Sequence, residues 1–167
     1  MLQKTFIIQT NGPRLYELTD RIAHWVHGNC LVNLFVQHSS ASLLIQENAD
    51  RDVRSDLTAF FDRLVPPATH PSISYLTHLY EDADDIPAHI KAALLPTFLT
   101  IPLHEGQLAL GTLQGIYLVE HRAAAASASG LCLCLARSAA RALVKTLRFA
   151  NKFFEPDCRF YAGVAAR

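Results

Sequence analysis

An apolar run rich in β-favouring side chains, LVNLFV at residues 31–36, leads directly into a polar segment, QHSSAS at residues 37–42. A run of this length that is almost continuously apolar is typical of a strand covered on both faces. A second apolar run, LLI at residues 43–45, follows at once. The stretch therefore predicts two strands joined by a polar turn that carries His38 and three serines.

The flanking segments predict helices and further strands. Apolar side chains recur at helical spacing over residues 18–26 and 53–64, and Pro87 and Pro96 bracket a third helix. Asn48 or Asp50 is a suitable cap for the second helix. Shorter strands are expected at residues 6–8, 75–80, 97–103, 108–111 and 115–120. This order predicts the α+β class, as a largely antiparallel β-sheet sandwich with flanking helices.

The composition bounds the class of protein. The 167 residues suit one domain, half of them are hydrophobic, and 15 basic side chains balance 15 acidic ones. No field of one sign attracts nucleic acid, so we expect no nucleic-acid partner. No apolar run approaches the roughly 20 residues that span a bilayer, and no secretory signal is recognisable. We therefore expect a cytoplasmic protein without a transmembrane segment.

The charge is distributed unevenly along the chain. Residues 1–122 carry 8 basic and 13 acidic side chains, whereas residues 123–167 carry 7 and 2. We predict a single domain over residues 1–122 and an atypical Ala- and Arg-rich extension over residues 123–167, which contains a basic amphipathic helix. Three explanations stay open for the extension: an ordinary packed terminal helix, a targeting element that docks on a membrane or partner, and a shifted reading frame.

Three histidines lie where the chain is expected to turn towards the opening of one pocket. They are His38 at a strand end, His78 before an acidic segment, and His89 in the first turn of a helix. Three neutral imidazoles with an open fourth position suit catalytic zinc. We therefore expect a divalent metal, zinc rather than magnesium, although magnesium remains possible. The spacing matches no compact zinc-binding pattern, so three ordinary surface histidines are the alternative.

Polar side chains near these histidines are candidates for further roles. Asp85 precedes His89 by four residues, so the carboxylate can orient the ring or act as a base, or simply cap the helix. Thr112 and Gln114 stand between two glycines that allow close approach of a ligand to the backbone. Ser40 and Ser42 offer hydroxyls for an anion, although serines at a strand end are more often just part of a loop.

Five segments taken together resemble the YjbQ-like family, also known as uncharacterised protein family 0047 and sometimes called secondary thiamine-phosphate synthase. They are QHSSASL at residues 37–43, QENAD at 46–50, DDIPAHIK at 84–91, GTLQGIYL at 111–118 and EHR at 120–122. After Arg122 the chain departs from the family, whose members usually close with a turn and one last β-branched strand. The presence of that closing strand is therefore in doubt.

The resemblance implies a compact α+β subunit that forms a homotrimer, with a metal-capable pocket near the subunit contacts. It implies the metal ligands His38, His78 and His89, and catalytic roles for Asp85, Glu120 and Arg122. The substrate-binding candidates are Ser40, Ser42, Asn48, Thr112 and Gln114.

A weak thiamine-phosphate synthase activity is attributed to the family, joining a pyrimidine methyl diphosphate to a thiazole phosphate. Our first hypothesis is therefore a metal-dependent transferase that acts on small phosphorylated substrates. The alternative is a non-catalytic metal- or phosphate-binding module. A vacant coordination position beside a phosphate-sized pocket would favour the transferase, and a closed ligand sphere the module.

Overall fold

The computed structural model describes residues 2–78, 80–123 and 129–136, of which residue 2 and the last segment are described by their backbone alone. Within these ranges, a 3₁₀ turn at Pro71–Ile73 accompanies three helices and eight strands. In chain order these are β1 (Leu2–Ile8), β2 (Arg14–Glu17), α1 (Thr19–Ala23), β3 (Cys30–Val36), β4 (Ala41–Glu47), α2 (Arg51–Leu64), α3 (Asp85–Leu94), β5 (Phe98–His104), β6 (Gln107–Leu108), β7 (Gln114–Glu120) and β8 (Ser129–Ala136).

The strands form two sheets, and the predicted α+β class with antiparallel pairing is confirmed. One sheet has the order β1-β8-β3-β5-β6, the other the order β2-β7-β4, and every neighbouring pair is antiparallel. Val32 and Leu34 of β3, Leu43 of β4, and Ile116 and Leu118 of β7 are buried in one core cluster. Apolar residues of both sheets therefore share a single core.

The β3 strand is buried on one face only, which differs from the predicted strand covered on both. Val32, Leu34 and Val36 point into the core, whereas Leu31 and Phe35 are exposed. The side chains alternate because successive residues of a strand face opposite sides of the sheet. The apolar run at residues 31–36 therefore consists of side chains that face the core and side chains that lie on the exposed outer face of the sheet.

The domain extends beyond the boundary predicted at residue 122. Residues 129–136 form β8, which pairs with β1 on one side and β3 on the other, with Phe6 opposite Leu131 and Leu34 opposite Leu133. Without β8 the backbone groups of both neighbours would lack these partners. The segment is thus an interior strand and not part of a helical extension. The predicted amphipathic helix lies outside the described residues.

Two smaller predictions also need correction. The strand expected at residues 75–80 is wrong, since its described residues form turns and irregular backbone after the 3₁₀ turn. Conversely, β2 was not expected, and it pairs with β7 so that Arg14 lies opposite Glu120. β2 completes the smaller sheet next to the residues predicted to carry the chemistry.

The helices begin and end close to the predicted residues. Asp50 caps α2, because its side chain accepts a hydrogen bond of 2.8 Å from the backbone N–H of Asp52. α3 ends before Pro96 and buries Pro87, Ala88, Lys91 and Ala92. Within the described residues, no helix is both long enough and apolar enough to cross a bilayer.

Candidate metal centre

The first turns of α3 present Asp85 and His89 on one face, as the spacing of four residues predicts. Oδ2 of Asp85 lies 3.4 Å from Nε2 of His89. The other ring nitrogen, Nδ1 of His89, lies 3.2 Å from the carbonyl oxygen of Ser39. A carbonyl oxygen only accepts, so Nδ1 must carry the proton of this hydrogen bond.

This hydrogen bond determines what Nε2 of His89 can do. A neutral imidazole has one N–H, so with the proton on Nδ1 a lone pair on Nε2 faces the carboxylate of Asp85. Two acceptors at this separation repel each other unless a second proton or a metal cation lies between them. The arrangement is one in which a carboxylate and an imidazole can share a cation.

His78, which lies in the loop before α3, also contacts the carboxylate of Asp85. Its Nε2 atom lies 3.2 Å from the same Oδ2 of Asp85, and its ring centroid is 6.5 Å from that of His89. The ligand atoms of His78, Glu81 and Asp85 all lie within 4.8 Å of one another. Glu81 therefore joins the cluster, a role that was not predicted for it.

Zinc accepts imidazole nitrogens and carboxylate oxygens of the kind found here. Bonds of about 2.1 Å in tetrahedral geometry place neighbouring donors about 3.4 Å apart. The separations of 3.2 Å and 3.4 Å from Oδ2 of Asp85 to the two imidazole nitrogens match that edge length. Imidazole nitrogens also favour zinc over magnesium, which prefers oxygen ligands.

His38 is held differently from the other two histidines. The backbone N–H of Ser40 donates a hydrogen bond of 3.0 Å to Nδ1 of His38. In the neutral ring the proton is then on Nε2, which makes that atom a donor and not a metal ligand. Burial and the nearby charges of Arg122 and His89 lower the pKa of His38, while Glu120 raises it. The ring is accordingly neutral near pH 7.

Asp84, and not Asp85 for which a capping role was considered, precedes the first residue of α3. It occupies the N-cap position of α3 without a side-chain capping hydrogen bond. Instead, its Oδ2 atom accepts a hydrogen bond from the backbone N–H of Ala123. This contact joins the start of α3 to the chain leaving β7.

At the end of β7 the buried Glu120 pairs with Arg122, which is partly exposed. The Glu120 carboxylate accepts from Nε of Arg122 at 3.3 Å and from Oγ1 of Thr10 at 2.9 Å. Burial by itself would raise the pKa of Glu120, but the hydrogen bonds from Arg122 and Thr10 hold it below its ordinary value. The carboxylate is therefore ionised and fixes the guanidinium of Arg122.

Three predicted substrate-binding residues lie far from this pair within one chain. In the pairing of β4 with β7, Ala41 lies opposite Glu120 and Glu47 lies opposite Gln114. Six residues of strand, about 20 Å, separate the two ends. Asn48, Thr112 and Gln114 are at the Gln114 end, and Gln114 is engaged with the backbone N–H of Gly111. A single subunit does not bring them to the histidines.

The two serines differ in their positions. Ser40 is buried beside His38 and orients its ring through the backbone N–H. Ser42 is also buried, but its hydroxyl lies 3.1 Å from Nε2 of His121 and 3.5 Å from the carbonyl oxygen of Ala92. Ser42 therefore contacts α3 at Ala92 and also contacts His121, a residue for which no role was predicted.

The two antiparallel sheets, with imidazole and carboxylate groups gathered at the start of α3, define an α+β protein with a candidate metal centre. Residues 4–136 match the family described as UPF0047 protein YjbQ-like, and the chain belongs to that family. The match ends at Ala136, where β8 ends. The closing strand that was in doubt is therefore within the family match.

Curated relatives and solved structures agree with this assignment. UPF0047 protein sll1880 of Synechocystis is 44% identical over 126 residues, which cover 72% of this chain and 82% of that protein. UPF0047 protein YjbQ of Escherichia coli O157:H7 is 41% identical over 125 residues, covering 72% and 87%. The conserved hypothetical protein TT1486 of Thermus thermophilus superposes with a TM-score of 0.70 at 25% identity, covering 80% and 99%.

Proposed function

We propose that the chain is a metal-dependent transferase that acts on small phosphorylated substrates, with the metal held by His78, Asp85 and His89 and its fourth position open to water or substrate beside Glu81. One observation carries the proposal. Nε2 of His89 and Oδ2 of Asp85 face each other at 3.4 Å while Nδ1 of His89 is committed to Ser39. Zinc between them would be a Lewis acid towards a phosphate or carbonyl oxygen.

The chain's own residues supply the other functions. Arg122, fixed by Glu120, offers a guanidinium to phosphate oxygens, for which its planar geometry is suited. Nε2–H of His38 is a neutral donor that can hydrogen-bond to a departing oxygen. Glu120 acts through Arg122 and is therefore a positioning residue, and Ser40 positions His38 in the same way.

The resemblance indicates a substrate pair for this machinery. In a thiamine-phosphate synthase reaction, the bond from the pyrimidine methylene carbon to the diphosphate oxygen breaks, and a bond to the thiazole nitrogen forms. The diphosphate leaves with the bonding electrons. Arg122 and His38 would stabilise the negative charge that develops on the diphosphate as this bond breaks. Electrostatic stabilisation has its largest effect at this step.

The test is formation of thiamine phosphate from the two precursors by purified protein with added zinc. We expect His89→Ala and Arg122→Ala to abolish the activity, and His104→Ala, at the exposed end of β5, to leave it unchanged. Product formation by His89→Ala at the wild-type rate would contradict the proposal. So would an absence of product with every phosphorylated pair tested.

A non-catalytic metal-binding module is the second candidate, and one observation favours it. His78, Glu81, Asp85 and His89 offer four donors, which is enough to close a tetrahedral zinc sphere. X-ray absorption of the zinc-loaded protein distinguishes the two. Four protein ligands would indicate a module, whereas three protein ligands and one exchangeable oxygen would support the transferase.

We further propose that the subunits self-associate as a homotrimer through the open face of the larger sheet. Phe35 and Phe98 are opposite each other in the β3–β5 pairing, and Ile7, Phe35 and Phe98 are 60%, 48% and 64% exposed. Apolar exposure of this kind is typical of an interface. Association is also the route by which Asn48, Thr112 and Gln114 of a neighbouring subunit could reach the site.

Light scattering on a sizing column tests the assembly. We expect a trimer for the wild-type chain and a monomer for Phe98→Glu. Phe60→Glu is the matched control, because Phe60 is 58% exposed on α2, away from the sheet face. A monomeric wild-type chain, or loss of the trimer in Phe60→Glu alone, would contradict the proposed interface.

A further inference from the structure

A cleft lies on a different side of α3 from the candidate metal centre. It has a volume of about 270 Å³, and its lining includes Asp84, Pro87 and Lys91 of α3, Asp62 of α2 and His121 after β7. Residues 84, 87 and 91 share one helical face, whereas Asp85 and His89 lie on another. The cleft is therefore separate from the candidate metal centre.

The charged groups of the cleft leave a net negative charge. The Lys91 side chain is 8% exposed, and its Nζ atom lies 2.5 Å from Oδ1 of Asp62. This ion pair neutralises the ammonium, which would otherwise attract an anion. Asp84 also lines the cleft, and within the described part of the chain its carboxylate accepts from the backbone N–H of Ala123 and pairs with no cation. Two carboxylates thus face one ammonium.

His121 adds a polar ring atom to the lining of the cleft. The residue is 4% exposed, and its Nε2 atom is engaged with the hydroxyl of Ser42 at 3.1 Å. In the part of the chain that the structure describes, no group hydrogen-bonds to Nδ1 of this ring. Burial and the nearby Lys91 lower the pKa of His121 to about 4, so the ring adds no positive charge.

The remaining walls are apolar. Pro13, Pro67 and Pro87 line the cleft together with Ala123. Proline rings are rigid and carry no N–H, so they offer hydrocarbon surface without competing for hydrogen bonds. Such walls suit a short aliphatic chain.

We propose that this cleft binds a small protonated primary amine on a short hydrocarbon chain, with the ammonium between Asp62 and Asp84 and the methylenes against the prolines. The negative sum of charges selects a cation over an anion. The hydrocarbon walls select an alkylamine over a bare inorganic cation. Nδ1 of His121 is placed to contact a second polar group of the natural ligand.

The experiment uses three probes of equal chain length: pentylamine, pentan-1-ol and pentanoate. Each is titrated into the full-length ¹⁵N-labelled chain while the amide resonance of Ala123 is followed, because that N–H is bonded to Asp84. We expect a saturable shift with pentylamine alone. An equal shift with pentan-1-ol would show that the cleft is only an apolar site, and tighter binding of pentanoate would show that it is an anion site. Either result would overturn the proposal. The absence of a shift with all three probes would overturn it as well.

Two substitutions change the charge of the cleft in opposite directions. Asp62→Asn removes one carboxylate and leaves Lys91 unpaired, so we expect pentylamine to bind at least about fivefold more weakly. Lys91→Met removes the ammonium, and we expect binding at least about fivefold tighter. Asp56→Asn, on an exposed position of α2, is the matched control and should change nothing. Equal affinities in Asp62→Asn, Lys91→Met and the wild-type chain would defeat the assignment.

Discussion

Asp85 faces His89 across 3.4 Å, one helical turn apart on α3, with the second nitrogen of the ring hydrogen-bonded to Ser39. His78 approaches the same carboxylate oxygen at 3.2 Å from the preceding loop. Side chains from a helix and a loop thus converge on one oxygen atom. The convergence makes the carboxylate of Asp85 the group on which cation binding depends.

Replacement of Asp85 by Asn should weaken zinc binding. The amide offers no charge, and its N–H can donate directly to Nε2 of His89 and so remove the need for a cation. We expect the affinity to fall at least about tenfold, measured by competition with a chromophoric chelator. Asp82→Asn, in the same acidic segment, is the control; an unchanged affinity in Asp85→Asn would contradict the role assigned to this carboxylate.

Glu120→Gln should destabilise the fold. The carboxylate is 1% exposed and accepts hydrogen bonds from Thr10, Arg122 and the backbone N–H of His121. A neutral amide leaves Arg122 without its anion, at a cost of about 2 kcal/mol or more. Urea unfolding followed by the fluorescence of Trp25 measures the change. Glu105→Gln, at an exposed turn, should be neutral, and equal midpoints for the two variants would refute the expectation.

Stability should fall with acidity through His121. Its pKa is lowered from 6.5 to about 4 by burial and by Lys91, against the opposing charges of Glu120 and Asp62. Between these two values the unfolded chain binds the proton and the folded chain does not. The contribution of His121 to the free energy of unfolding is therefore complete above pH 6.5 and is lost as the pH falls to 4, by about 3 kcal/mol.

The variant His121→Gln isolates this effect, because the amide does not titrate. We expect its unfolding free energy to depend less steeply on pH between 4 and 6.5 than that of the wild-type chain. His104→Gln should retain the full dependence, since His104 is exposed on β5. Parallel pH profiles for wild type and His121→Gln would show that the ring is not kept neutral by the fold.

Truncation after Arg122 should prevent folding, whereas truncation after Arg137 should not. The shorter chain lacks β8, so β1 and β3 lose their pairing partner and two sheet edges are left open. The longer chain retains all described strands. We expect aggregation of the former and a cooperative thermal transition of the latter by circular dichroism. A folded, soluble chain ending at Arg122 would contradict the central position of β8.

Strongly patterned segments were predictable from sequence. The runs that became β3, β4 and β7, the cap at Asp50 and the proline that ends α3 all follow from local chemistry. The pairing of Asp85 with His89 was predictable for the same reason, because it depends only on helical spacing. His78 was also a candidate ligand, but its approach to Asp85, like that of the unpredicted Glu81, follows an irregular loop whose course no periodicity reveals.

Long-range pairing accounts for the remaining errors. β2 is a four-residue strand with polar ends, and only its position beside β7 makes it a strand. The alternating leucines and cysteines of β8 follow an Ala-rich segment, which suggested a foreign tail. Asn48 and Gln114 were assigned to the site because the register that places them at the far end of the smaller sheet is a tertiary property.

Crystals of the chain purified without added metal, measured across the zinc absorption edge, test the metal centre most directly. We expect an anomalous peak about 2.0–2.2 Å from Nε2 of His89, Nε2 of His78 and Oδ2 of Asp85. The Nε2 atom of His38 should stay outside bonding distance. A structure with no peak after zinc is added, or with the peak on other residues, would contradict the assignment.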